Sequence, residues 1–188
     1  MKYKLIFTIV LISSFVFCKE DSESRKKEFL KHGTSITLQA KSEIGKHLLN
    51  NIQSKGTIGA LEFCNLNATP ITYELTKKLN AKLKRVTDKP RNPENEVNQE
   101  EKIILEKFKT QLANNENLTP ITIEKGTNQV GYFPIQTNKV CLQCHGVQDI
   151  TPEVHSKLAA LYPNDKAIGY GENQIRGMWV IEIEKENK

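Results

Sequence analysis

The run Cys141-Leu142-Gln143-Cys144-His145 constrains this chain more than any other feature. Two thiols separated by two residues, with an imidazole directly after the second, let one turn present three reactive groups to a single object. That spacing is the attachment pattern of a covalently bound c-type haem. The thiols add across the vinyl groups as thioethers, and the histidine coordinates iron from the proximal side. The motif supplies both anchor and ligand, so a single covalent haem c is the cofactor expected. A bare CxxC is also half of a zinc site or a redox dithiol. A zinc tetrad, however, needs a second ligand pair at compatible spacing, and here only His155 together with Cys64 offers one.

The chain opens with Lys2 and Lys4, continues through the apolar run Leu5–Phe17 and reaches Cys18, followed by Lys-Glu-Asp-Ser-Glu-Ser. This is the pattern of an export signal. The apolar run falls short of the about 20 residues a membrane-spanning helix needs. A cysteine closing such a run before a charged, serine-bearing tether reads as the lipid-bearing residue of a bacterial lipoprotein. Cys18 would then hold the protein at the periplasmic face of a membrane. The preceding Phe15-Val16-Phe17 lacks the small residues usual there, and a soluble periplasmic protein is the alternative. The organisation expected is a signal peptide over 1–17, a tether over 18–27 and a single haem-binding domain over 28–188. The formal net charge of +5 is spread over lysines interleaved with acids. Nothing in it resembles a nucleic-acid footprint, and no nucleic-acid partner is expected.

From Ser22 to Ser54 the residues Phe29, Ile36, Ala40, Ile44, Leu48 and Ile52 recur near helical spacing and predict a long amphipathic helix. Gly56 breaks it. A second apolar segment, Thr57 to Asn67, contains Cys64, and Thr69-Pro70 reads as a cap and first-turn proline opening a short helix toward Asn80. Lys82 to Thr87 reads as a strand. Asn98 with Glu101 predicts a boxed helix start. Pro120–Glu124 and Gln129–Ile135 flank Lys-Gly-Thr-Asn as a hairpin. Thr151-Pro152 opens a further helix, and Gly177 to Glu184, alternating in its second half, reads as a terminal strand. Helices first, then hairpin, helix and strand, imply an α+β fold with a small antiparallel sheet.

With one axial position filled by His145, the chemistry depends on the other. Of four cysteines, Cys18, Cys141 and Cys144 have roles, which leaves Cys64 as a buried core thiol, an iron ligand or half of an intermolecular disulfide. Met178, His32, His47 and His155 are the competing candidates for the sixth ligand.

A set of motifs in order, Arg85-Val-Thr-Asp-Lys-Pro-Arg-Asn-Pro-Glu-Asn95, Tyr132-Phe-Pro-Ile, Cys141 to Gly146, Leu161-Tyr-Pro-Asn-Asp-Lys-Ala-Ile-Gly-Tyr170 and Arg176-Gly177, resembles the Tll-like c-type haem proteins. The resemblance covers most of the chain after the export signal. It implies a PAS-like core preceded by helices, with a cysteine in the helical region as distal iron ligand, here Cys64. Arg91, Tyr170 and Arg176 lie in the polar loops that the family pattern marks and are candidates for contacts to the haem propionates. Thr87, Val97 and Asn173-Gln174 depart from the family pattern without touching a proposed iron or thioether position.

Thiolate donates strongly to iron, so His/Cys ligation implies a low-potential, six-coordinate redox protein rather than an enzyme. Two functional classes follow. One is an electron carrier or redox-signalling protein. The other is a haem-based redox or gas sensor for NO or CO that works through a separate output partner. Either calls for a redox or signalling partner protein.

Overall fold

The computed structural model describes the backbone of residues 3–126 and 128–184, and side chains from Ser22 to Ile183 within that span. The side chains of the expected export signal 1–17 and of the lipidation candidate Cys18 lie outside the described residues. Among the described residues, no helix is long and apolar enough to cross a membrane.

Helix α1 (Tyr3–Lys78) is two arms joined at Gly56, where φ is +69° and ψ is −177°. That region of backbone space is open essentially to glycine alone. The chain reverses there. The His47 ring stacks on Phe63 with centroids 5.6 Å apart, whereas residues sixteen apart on a straight helix are separated by about 24 Å. Ile36, Ala40 and Ile44 of the first arm accordingly share one apolar cluster with Ile71 and Leu75 of the second and Leu79 just beyond it. Thr69-Pro70 does not open a new helix as the sequence suggested. The second arm runs through Pro70 to Lys78. Leu66 is exposed, so water can serve the carbonyl that Pro70 leaves without a donor, and packing on both sides of the proline outweighs its helix-breaking tendency.

The remaining elements follow the local signals closely. Strand β1 is Lys82–Val86, α2 is Gln99–Ala113, β2 is Ile121–Lys125 and β3 is Asn128–Gln136. They are followed by α3 (Lys139–His145), α4 (Pro152–Leu161) and β4 (Ile175–Glu184). Asn98 and Glu101 close the expected reciprocal box at the start of α2, and Thr151 caps α4 ahead of Pro152. The four strands form one antiparallel sheet in the order β1-β4-β3-β2. This is the α+β, PAS-like architecture with a long N-terminal helix that the sequence predicts.

Strand alternation gives the sheet two apolar faces. Val86, Val130, Tyr132, Met178 and Val180 meet Ile104, Leu105 and Phe108 of α2. Leu83, Phe133, Trp179 and Ile181 meet the helical arms on the other side. A third cluster joins Leu61 of the second arm to Val154 and Leu158 of α4, with Cys144 packed against it. The motif helix thus lies on the α1 side, under the second arm.

Gly56→Ala is expected to cost about 1–3 kcal/mol of stability, because alanine cannot adopt that backbone conformation without strain. Gly45→Ala, within the first arm and with nothing within 4 Å of an added Cβ, is expected to stabilise by about 0.5–1 kcal/mol. Urea unfolding of both variants checks the pair.

Candidate haem site

Helix α3 is short and closed at both ends. Asn138 accepts from the amides of Val140 and Cys141, and the Gly146 amide returns to the Leu142 carbonyl at 2.8 Å. A Cβ on Gly146 would stand 2.7 Å from both that carbonyl and the Asp149 carboxylate, so only glycine closes the turn. Leu142 is buried and pins the helix from beneath. Cys141 and Cys144, three residues apart, therefore share one side of it.

The His145 ring is fixed by its Nδ1, which lies 2.6 Å from the Ala167 carbonyl. A carbonyl only accepts, so Nδ1 carries the proton and the Nε2 lone pair is left open, as for a histidine that binds metal. Burial, with Arg176 and Arg91 nearby, holds the imidazole well below its usual pKa. At neutral pH the ring is a neutral donor. The loop carrying Ala167 wraps this residue: the Tyr170 amide donates to the His145 carbonyl at 2.9 Å, the Gly169 amide to the Gly146 carbonyl at 3.1 Å, and the Tyr170 ring meets the imidazole edge-on.

Arg91 locks loop and motif together. Its Nε donates to Asp165 at 3.0 Å and its Nη2 donates to the Cys144 carbonyl at 2.6 Å. The other Asp165 oxygen accepts from the Ala167 amide at 2.8 Å. Arg91 and Asp165 side chains are 13% and 9% exposed, which makes this a partly buried, charge-assisted network rather than a surface pair.

Thr57, Leu61 and Cys64 fall at i, i+4 and i+7 and form one stripe of the second arm. Thr57 donates to Gln143 at 2.9 Å, and Leu61 packs in the cluster that holds Cys144. The neighbouring Glu62 pairs with Lys157 of α4. Cys64 is thereby turned toward α3 and α4. Its thiol is pushed up by burial and drawn back by Arg85 and then Arg91. The Cys144 thiol is raised by burial to about 11, with Arg91 opposing. Both are therefore protonated thiols at neutral pH, unlike the low-pKa cysteines of redox dithiols.

The other candidates for a second axial position lie elsewhere. Met178 is fully buried on the α2 side of the sheet. His32 and His155 are exposed, and His47 is held between Phe63 and Glu43. Among the described residues, no group of three or more His, Cys, Asp or Glu is arranged to hold a metal ion, so the zinc alternative has no tetrad to rest on. Arg176 donates from Nη1 to Thr87 Oγ1 at 3.0 Å and to the Lys89 carbonyl at 3.2 Å, and stands 5.4 Å from the centroid of the Tyr170 ring. Its Nε and the Tyr170 hydroxyl are buried with no hydrogen-bond partner among the described residues. Two orphaned donors beside a neutral imidazole and two thiols fit a ring that carries carboxylates. Sequence reasoning did not single out Arg85, which shares this side of the sheet. The only signal was its alternation with Leu83, which Lys84 and Val86 obscure.

The site and sheet define a PAS-like domain carrying a CxxCH turn beneath a helical hairpin. Residues 19–184 match the Tll0287-like family, and the chain belongs to it. Among solved structures, that of the cyanobacterial heme-protein Tll0287 superposes with a TM-score of 0.62 at 18% identity, covering 86% of this chain and 98% of that one. At such identity the likeness establishes the shared fold. Comparison with curated proteins returns no match.

Replacing Arg91 with alanine is expected to destabilise the protein by about 3 kcal/mol, because the Asp165 carboxylate loses its partner in a poorly hydrated place. A double-mutant cycle with Asp165→Asn, read by thermal unfolding, should show a coupling of about 1–3 kcal/mol.

Proposed function

We propose that this protein is an exported, low-potential redox protein with one covalent haem c, ligated by His145 and Cys64 and used in electron transfer or redox signalling. The observation that carries the reading is the His145 ring, tied through Nδ1 to the Ala167 carbonyl with Nε2 open, on a turn that presents Cys141 and Cys144 beside it. The bound group would supply a one-electron couple. The protein's own contribution is attachment through the two cysteine sulfurs, a fixed proximal imidazole and a thiol brought over from the second arm of α1. The orphaned Tyr170 hydroxyl and Arg176 Nε are the donors for a propionate. Arg91 would act on the motif chiefly through Asp165 and the Cys144 carbonyl.

Filled axial positions argue against turnover of a substrate, and the proposed role is not enzymatic. Export through the 1–17 segment and lipid attachment at Cys18 would keep the protein at a periplasmic membrane surface beside a redox or signalling partner. Family membership supports the haem reading, since the structurally similar Tll0287 is described as a heme-protein.

Production with a haem-c maturation system is expected to give covalently bound haem, read by the pyridine haemochrome after acid extraction. Cys141→Ala together with Cys144→Ala should abolish it. In the holoprotein, Cys64→Ala is expected to remove the low-spin ferric signal typical of thiolate ligation and to raise the reduction potential. Unchanged spectra and potential would make Cys64 a core residue. Binding of NO or CO to the reduced protein, with altered protease sensitivity, would favour the sensor over the carrier.

A further inference from the structure

Three arginines stand on the strands and loops around the motif, and their partners differ. Arg91 is occupied, because Asp165 and the carbonyls of Cys144 and Ala167 all accept from it. Arg176 is anchored through Nη1 to Thr87 Oγ1 and the Lys89 carbonyl, with Nε left over beside the Tyr170 ring. Arg85 has no hydrogen bond or ion pair among the described residues. What it meets is Trp179, its register partner on β4, whose ring centroid lies 5.4 Å from its Cζ. It is partly buried, enough to depress its pKa below the usual arginine value.

The strand register places that guanidinium. On β1 it alternates with Leu83, which is buried against the helical arms as Trp179 and Ile181 are on β4. Arg85 therefore lies on the α1 side of the sheet, the side that carries the motif helix. The next position of β4 on that face is Gly177, paired with Ile135 of β3, and it sets no side chain beside Arg85. This is the end of the sheet from which β3 leads through Gln136 into α3 at Lys139. A series of contacts connects the same end to the histidine. Thr87, two residues beyond Arg85 and about 7 Å along the chain, accepts from Arg176 at 3.0 Å. Arg176 stands 5.4 Å from the Tyr170 ring, and that ring meets the His145 imidazole edge-on with centroids 6.3 Å apart.

A desolvated guanidinium on an indole face is held in place but not neutralised, and it is costly unless an anion meets it. Asp165 is no such anion, since Arg91 and the Ala167 amide engage it. A haem brings two carboxylates. The orphaned Tyr170 hydroxyl and Arg176 Nε serve one of them.

We infer that Arg85 is a haem-binding residue, the counter-charge of the second propionate, one residue pair further into the sheet than the Thr87 contact that anchors Arg176. The inference rests on the haem reading above and extends it to a residue outside both the CxxCH turn and the axial set. A planar guanidinium matches a carboxylate through two parallel hydrogen bonds, which a lysine cannot reproduce. Pairing also cancels a negative charge near iron, so Arg85 raises the reduction potential above the value an unpaired propionate would give.

The test uses holoprotein matured with covalent haem, as wild type, Arg85→Gln, Arg85→Lys and Cys64→Ala, and with Arg85→Gln combined with Cys64→Ala. Two quantities are read: the resonance Raman frequencies of the propionate bending modes, which report hydrogen bonding to those carboxylates, and the reduction potential. Arg85→Gln is expected to shift one propionate mode and to lower the potential. Arg85→Lys, which keeps the charge but not the fork, should shift the same mode while holding the potential closer to wild type. It carries the test if the glutamine variant does not accumulate. The drop in potential should be of similar size with and without Cys64. Unchanged propionate modes would make Arg85 a packing partner of Trp179 and overturn the inference. A drop that vanishes in the Cys64→Ala background would overturn it as well, by assigning the charge to the axial ligand. Either leaves the haem reading intact, whereas wild type without covalent haem defeats both.

Discussion

Much of this structure depends on one guanidinium. Arg91 reaches from the β1–α2 connection to the carbonyl of Cys144 and to Asp165, and Asp165 in turn holds the amide of Ala167. Ala167 is the residue whose carbonyl sets the tautomer and angle of the His145 ring. A loop of this kind has no sheet or helix to stiffen it. Its rigidity comes from charge-assisted bonds shielded from water, which are stronger than neutral ones. The orientation of the His145 imidazole is thus fixed from just over fifty residues upstream, through a carboxylate that holds the loop rather than the ring.

The second organising constraint is the reversal at Gly56. A helix of this length would carry Cys64 far from the sheet. The turn-back instead lays the second arm against α3 and α4, where Thr57 and Leu61 meet Gln143 and the Cys144 cluster. Burial of Ile36, Ala40, Leu75 and Leu83 in a shared core fixes the two arms to the sheet. The second arm and the motif helix are brought together by packing energy spread over many apolar contacts.

Local signals in the sequence were legible because local physics decides them. The Asn98 box, the Thr151-Pro152 start and the antiparallel pairing of the strands on either side of Gly126 are short-range hydrogen-bond and backbone preferences, and each appears in the fold where expected. The CxxCH turn was legible from residue identity alone. Pro70 was misread, because tertiary packing overrode a local preference at a solvent-exposed carbonyl. Gly56 was visible as a break, but a break does not state its angle, and the folding back of the arms depends on contacts between residues far apart in sequence. Met178 showed the limit of composition. As the last sulfur candidate it looked available, yet strand parity puts it on the opposite face of the sheet. Arg85 was hidden for the related reason that it shares a short strand with Lys82 and Lys84, and only the strand register separates an inward arginine from outward lysines.

The stripe of Thr57, Leu61 and Cys64 is a ruler with its zero at Gly56. Each residue added to or removed from the interval would swing everything beyond it by about 100° around the arm, carrying the thiol off the site while leaving the helix itself intact. The connection around Asn115 has no such phase to keep. Length variation in proteins built on this plan should therefore be tolerated there and suppressed in the few residues between Gly56 and Cys64. The number of residues in that interval, more than the identity of most of them, is what this fold has to conserve.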